Sequence, residues 1–152
     1  MALRLITASF LIGSIILIGA CQPNDNGTPI PYVPVNVTVD LNSPDYLALN
    51  PYGGYVILPN HGNKGIIIYH QFDDTYVCYD MTCSYEPTNP CNQIEVDENG
   101  FLLQCGNTIN GEFEPCCGSK FLWDGFPTAG PALFSLTQYV VYRNGNLLRV
   151  SN

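Results

Sequence analysis

Hydrophobic and polar positions change rhythm several times along the chain. Val35-Asn36-Val37-Thr38-Val39 alternates with period two, as a strand with one buried face does. Ser43-Pro44-Asp45-Tyr46-Leu47-Ala48-Leu49 instead predicts one or two helical turns. Ser43 can cap them, Pro44 suits the first helical position, and Pro51 forbids continuation past Asn50. Gly53-Gly54 then turns the chain into the strand Tyr55-Val56-Ile57-Leu58. Further short strands are predicted at 65–71, 75–80, 94–97, 101–105 and 120–123. Asp73-Asp74 separates the first two of these, and Asn99-Gly100 gives a type I′ hairpin signal between 94–97 and 101–105. Residues 139–143 and 146–150 flank Asn144-Gly145 in a last hairpin. No stretch is long and periodic enough for a substantial helix, and no internal repeat is visible. Many short strands with turn signals between them predict an all-β, antiparallel sandwich or barrel.

The N-terminus follows a different logic. Arg4 precedes an apolar run from 5 to 18 that is broken only by Thr7, Ser9, Gly13 and Ser14. That run is short of the roughly 20 residues needed to cross a bilayer as a helix. Ile18-Gly19-Ala20-Cys21 resembles a bacterial lipobox, which implies a signal peptide over 1–20 and lipid on Cys21. Gln22 after the cysteine, rather than Asp, implies by the same resemblance an outer-membrane lipoprotein, on the periplasmic face or the cell surface. Residues 21–34 then read as the lipidated cysteine and a Pro-rich tether, and 35–152 as one β domain.

Composition narrows the partners. The chain has 152 residues, with 13 Asp and Glu against 5 Lys and Arg, for a formal charge of −8. Removal of Arg4 with the signal peptide makes the remainder more acidic still. So acidic a chain cannot neutralise a phosphate backbone, which excludes nucleic acid as a partner. The ten tyrosines suit β structure and also protein interfaces. Asp73-Asp74 and Asp97-Glu98 read as solvated turns. His61 reads as a loop residue, and His70 as a strand residue with a satisfied hydrogen bond. No Ser or Cys nucleophile has a His partner at motif spacing, so no enzyme is expected.

Of the seven cysteines, six remain once Cys21 is set aside: Cys78, Cys83, Cys91, Cys105, Cys116 and Cys117. In an exported protein these favour disulfides, whose connectivity spacing alone leaves open. The closest spacings (Cys78 to Cys83, Cys83 to Cys91, and adjacent Cys116-Cys117) fit structural zinc poorly. Cys116-Cys117 also lacks the C-x-x-C geometry of thiol oxidoreductases, and only Lys120 is a cation nearby in sequence.

Two segments carry a family resemblance. They are Tyr79-Asp80-Met81-Thr82-Cys83-Ser84-Tyr85-Glu86 and Glu114-Pro115-Cys116-Cys117-Gly118-Ser119-Lys120-Phe121, the latter followed by Asp124-Gly125 and Gly130-Pro131-Ala132. In that order they resemble the two cluster-binding loops of Rieske iron–sulfur domains, from about Val35 to the C-terminus. The resemblance implies a Rieske-like β-sandwich or barrel with a smaller disulfide-stapled loop subdomain. A Rieske centre uses two cysteines on one iron and two histidines on the other. Carried over by position, Cys83 keeps the first Cys, Tyr85 replaces the first His, Glu114 the second Cys and Cys117 the second His. His61 and His70 both lie upstream of the two loops. The expectation is therefore a scaffold without cofactor or metal. The family's inter-loop disulfide maps onto Cys91–Cys116. Cys83–Cys117 would close the ligand positions and Cys78–Cys105 would be the third pair, with an exchange between the first two pairs left open. The function expected is a non-catalytic accessory subunit, anchored to the membrane by its N-terminal lipid and bound to an outer-membrane protein complex serving export, adhesion or uptake. Electron transfer through a [2Fe–2S] cluster is the alternative, and thiol–disulfide exchange a third reading.

Overall fold

The computed structural model describes residues 30–152. The expected signal peptide, the lipobox with Cys21 and most of the tether lie outside the described residues. The strands are β1 (Asn36–Asp40), β2 (Tyr55–Leu58), β3 (Ile66–His70), β4 (Tyr76–Asp80), β5 (Ile94–Val96), β6 (Leu103–Ile109), β7 (Glu112–Phe121), β8 (Pro127–Ala129), β9 (Gln138–Asn144) and β10 (Leu147–Ser151). They form a six-stranded sheet in the order β1-β10-β9-β4-β3-β2 and a four-stranded sheet in the order β5-β6-β7-β8. Every pairing is antiparallel. The all-β antiparallel class expected from the sequence is the one observed. Among the described residues, no helix is long and apolar enough to cross a membrane.

Central strands β3 and β4 are buried at every position, so apolar residues cover both of their faces. Ile66, Ile68, Tyr76 and Cys78 join Val37, Val39, Leu49, Tyr139, Leu148 and Val150 in one core, on the inside of the curled larger sheet. Ile67, Tyr69, Val77 and Tyr79 face a second core, filled by Met81, Cys83, Ile94, Leu103, Cys105 and Phe121. This explains why 66–70 reads as an unbroken apolar run (Ile-Ile-Ile-Tyr-His) while β1 alternates: the first serves two cores and the second only one.

Several local expectations are corrected. The predicted helical turns form a 3-10 segment (Pro44–Leu49), and Ser43 makes no side-chain cap. Asn99-Gly100 does not form a type I′ turn, because only Gly100 takes a positive φ (74°). The Asp97 carboxylate shapes this loop, accepting the amides of Phe101 and Leu102 at 2.7 and 2.8 Å. A turn with both central φ angles positive occurs instead at Asn110 (54°) and Gly111 (86°), joining β6 to β7. Consequently β6 runs on past the expected end at Cys105, and the segment expected as 120–123 is the tail of ten-residue β7.

Candidate functional site

The β6–β7 hairpin builds the site. Asn107, Thr108 and Ile109 pair with Glu114, Phe113 and Glu112, and Gly106 pairs with Pro115. The register then breaks: Gln104 pairs with Lys120, so Cys105 alone lies opposite the four residues 116–119. This bulge throws the Cys116-Cys117-Gly118-Ser119 segment out of the ladder, with Gly118 at a φ of 72°. Cys83 enters from the segment after β4, where its amide donates to the Asn92 carbonyl at 3.2 Å.

The Cys83, Cys105 and Cys117 sulfurs all lie within 4.8 Å of one another. Cys83 and Cys117 Sγ are 3.7 Å apart, too far for the ~2.0 Å of a bond, and all three are free thiols. Cys83 and Cys105 are buried, and Cys117 is half-buried at the edge of a cleft of about 320 Å³ lined by Tyr85, Glu86, Asn89 and Asn92. The Cys105 thiol donates to Asn92 Oδ1 at 2.6 Å. The buried Asn92 is held in turn by its own Nδ2, which donates to the Glu86 carbonyl at 2.6 Å. Cys117 Sγ lies 3.2 Å from Ser119 Oγ, which accepts the Ala132 amide at 3.1 Å.

This crowding sets the order of ionisation. When Cys83 ionises, the single Cys105 S–H turns from Asn92 Oδ1 to the Cys83 sulfur; that bond, with weaker ones from the Tyr85 amide, Cys117 and Ser119, favours the Cys83 thiolate against burial and brings its pKa down to about 7. Donating that hydrogen bond raises the Cys105 thiol, and burial adds to the rise. Lys64 also faces the cluster: burial lowers its pKa, opposed by the nearby Cys105 and Cys83 charges. Its Nζ donates to the carbonyls of Asn89 and Pro90 at 2.9 and 3.3 Å, which fixes the loop that carries Cys91.

Of the expected disulfides, Cys91–Cys116 forms, with Cα atoms 5.6 Å apart. Cys78–Cys105 does not form: Cys78 points into the inner core and Cys105 into the second, on opposite faces of the larger sheet. Burial raises the Cys78 thiol further from ionisation, as suits a small apolar residue. Cys83–Cys117 is brought together without bonding. Glu114, placed at a ligand position only by the resemblance, does not join the thiols. Glu114 pairs with Asn107 in the hairpin ladder and is exposed, and the sulfur that reaches Cys83 from this part of the chain is Cys105. Tyr85 lies beside the cluster, packed against the second core.

Sequence reasoning assigned Cys105 to Cys78 and not to Cys83 and Cys117, and it missed Lys64 and Asn92. One signal for Cys105 was present: Asn110-Gly111 between 107–109 and 112–114 marks a hairpin whose closure brings Gln104-Cys105 beside Cys116-Cys117. Lys64 and Asn92 carried none, because only the tertiary fold places them.

The expected histidines stand elsewhere. His70 is buried in the larger sheet, stacked on Tyr76 with ring centroids 4.2 Å apart and tilted against Tyr52 at 4.8 Å. Its Nε2 meets Asp74 Oδ1 at 3.1 Å, while Nδ1 has no partner, so its hydrogen bonding is only half satisfied. No imidazole lines the thiol cleft. The two-iron cluster implied by the resemblance does not fit these residues. Two irons need ligand pairs held apart on opposite sides of the cluster, whereas these three sulfurs converge on one point.

A search of protein-family models finds no match to the chain, and a search of curated proteins finds none either.

Proposed function

We propose that the chain is a non-catalytic, lipid-anchored envelope protein of Rieske-like descent. In this reading it serves as an accessory subunit that docks on another protein of an outer-membrane assembly. The observation that carries the reading is an apolar groove whose walls come from two hairpin tips. Phe72 follows β3 and is 78% exposed, Phe101 precedes β6 and is 75% exposed, and both line one cleft with Leu122, Tyr69 and Trp123. Trp123 is fixed from below by stacking on Tyr69, with centroids 4.2 Å apart and planes 12° from parallel. Its indole N–H donates to the Gly100 carbonyl at 3.0 Å. Neither phenylalanine enters a core cluster, so folding gives no reason for an aromatic at either tip, whereas docking does.

Asp73 and Asp124 line the same groove, on a chain of net charge −8. The occupant that fits is a protein segment with an exposed apolar side chain flanked by Lys or Arg. A lipid on Cys21 and the Pro-rich residues after it would hold the domain at the membrane and let it reach such a partner.

A photo-crosslinking residue in place of Phe101, in the full chain produced in its native envelope, should give one discrete protein adduct. Phe72→Ala should abolish it. The same residue at Tyr142, exposed on β9, should give none. A Phe101 adduct pattern indistinguishable from that at Tyr142 would sink the docking reading.

A further inference from the structure

We infer that Cys83, Cys105 and Cys117 form a site for a single thiophilic divalent ion, with zinc as the fitting species. The fourth coordination position then faces the cleft lined by Tyr85 and Glu86. Geometry carries the inference. A tetrahedral zinc with Zn–S bonds of about 2.3 Å places its sulfurs about 3.8 Å apart. The Cys83–Cys117 separation is 3.7 Å, and no pair in the trio exceeds 4.8 Å. The ligands come from three separate segments, and each is fixed independently: Cys83 by its backbone bond to Asn92, Cys105 by the β5–β6 ladder opposite Ile94, and Cys117 by the bulge that the neighbouring Cys91–Cys116 disulfide pins.

Charge and surroundings agree with one ion. Three thiolates around a divalent metal leave one net negative charge, and the Lys64 ammonium lies close enough to respond to Cys83 and Cys105. Ser119 Oγ, 3.2 Å from Cys117 and accepting the Ala132 amide, has its O–H free to donate to a bound Cys117 thiolate and is the outer partner that orients it. Soft thiolate ligands select zinc over magnesium or calcium. The half-buried Cys117 leaves the coordination sphere open toward the cleft, so water or a ligand carboxylate would complete it. Binding releases the thiol protons to solvent, so affinity rises with pH. The docking groove uses a different surface, and the two proposals stand or fall separately.

The test uses the full chain with Cys91–Cys116 intact, stripped of metal and titrated with cobalt(II) and then zinc(II). One equivalent of cobalt should give intense tetrahedral bands and thiolate-to-cobalt charge transfer, and zinc should bleach both. Cys117→Ser, at the exposed edge, should remove about one third of the charge-transfer intensity. It should weaken zinc by more than the roughly 10–100-fold lost with an outer partner. Cys78→Ala should bind as the parent protein does. Several results would overturn the inference: no tetrahedral cobalt spectrum while Cys83, Cys105 and Cys117 all titrate as free thiols, a Cys83–Cys117 disulfide in the natively produced chain, or two irons with labile sulfide. Equal zinc affinity in Cys117→Ser would do the same.

Discussion

At the scale of single residues, the chemistry of this protein is decided by which groups a thiol touches. Cys78 and Cys83 are five positions apart in the chain and both buried, yet their ionisation moves in opposite directions. Cys78 has only apolar neighbours and the Asp80 charge to repel its thiolate, whereas Cys83 has donors aimed at its sulfur. Without metal, one thiol of the cluster should therefore release its proton near pH 7, below the ~8.5 of a free cysteine. Cys105→Ala removes the largest stabilising hydrogen bond, so the midpoint should move upward, past the free-thiol value because burial is then less opposed. Ultraviolet absorption of the thiolate against pH reads this directly, and an unchanged midpoint would show that Cys105 is not the donor. None of this was legible in the spacing of the cysteines, because hydrogen-bond partners such as Asn92 and Ser119 are selected by the fold.

At the scale of elements, turn chemistry was the most readable signal, and its errors have physical causes. Among the described residues three Asn-Gly pairs occur, at 99–100, 110–111 and 144–145, and only the second forms the turn with two positive φ values. At the first, Asp97 offers the backbone a better arrangement by accepting two amides, which tightens a longer loop. At the third, Asn144 pairs with Leu147, so Gly145 and Asn146 form the tip and the glycine supplies its single positive φ of 60°. The β6–β7 hairpin matters for more than its own stability, since its base sets Cys105 opposite the bulge. Gly106 sits at that base, where an added Cβ would run into the Glu114 carbonyl and the Phe113 ring. Gly106→Ala should therefore destabilise by about 1–3 kcal/mol, the usual penalty for overpacking. It should also weaken cobalt binding, whereas Gly111→Ala, at a tip with open space around it, should cost about 1 kcal/mol and leave the metal site alone. Urea midpoints of the two variants separate these outcomes.

At the scale of the whole molecule, one sheet serves two cores, and the Cys91–Cys116 disulfide ties the smaller sheet's bulge to the segment before β5. That bridge spans 25 residues, for which loop-closure entropy gives about 3.5 kcal/mol. Replacing both cysteines by serine should lower the unfolding free energy by roughly 2–4 kcal/mol in denaturant titrations, with β1, β9 and β10 retained in the native spectrum. A loss under 1 kcal/mol would mean that the bulge is held by its hydrogen bonds instead. By itself the sequence determined the β class and the positions of most strands, because alternation and turn residues are local properties of a chain; Cys91–Cys116 was one of the pairings the resemblance implied, with exchange left open, and the fold selected it. Tertiary structure alone decided that Cys78 stands apart, that Cys105 meets Cys83 and Cys117 while Glu114 stays in the exposed ladder, and that Lys64 and Asn92 join the thiols. A strand shows the same period whichever core receives its cysteine, and a hairpin inserted between two positions changes their distance in sequence without changing it in space.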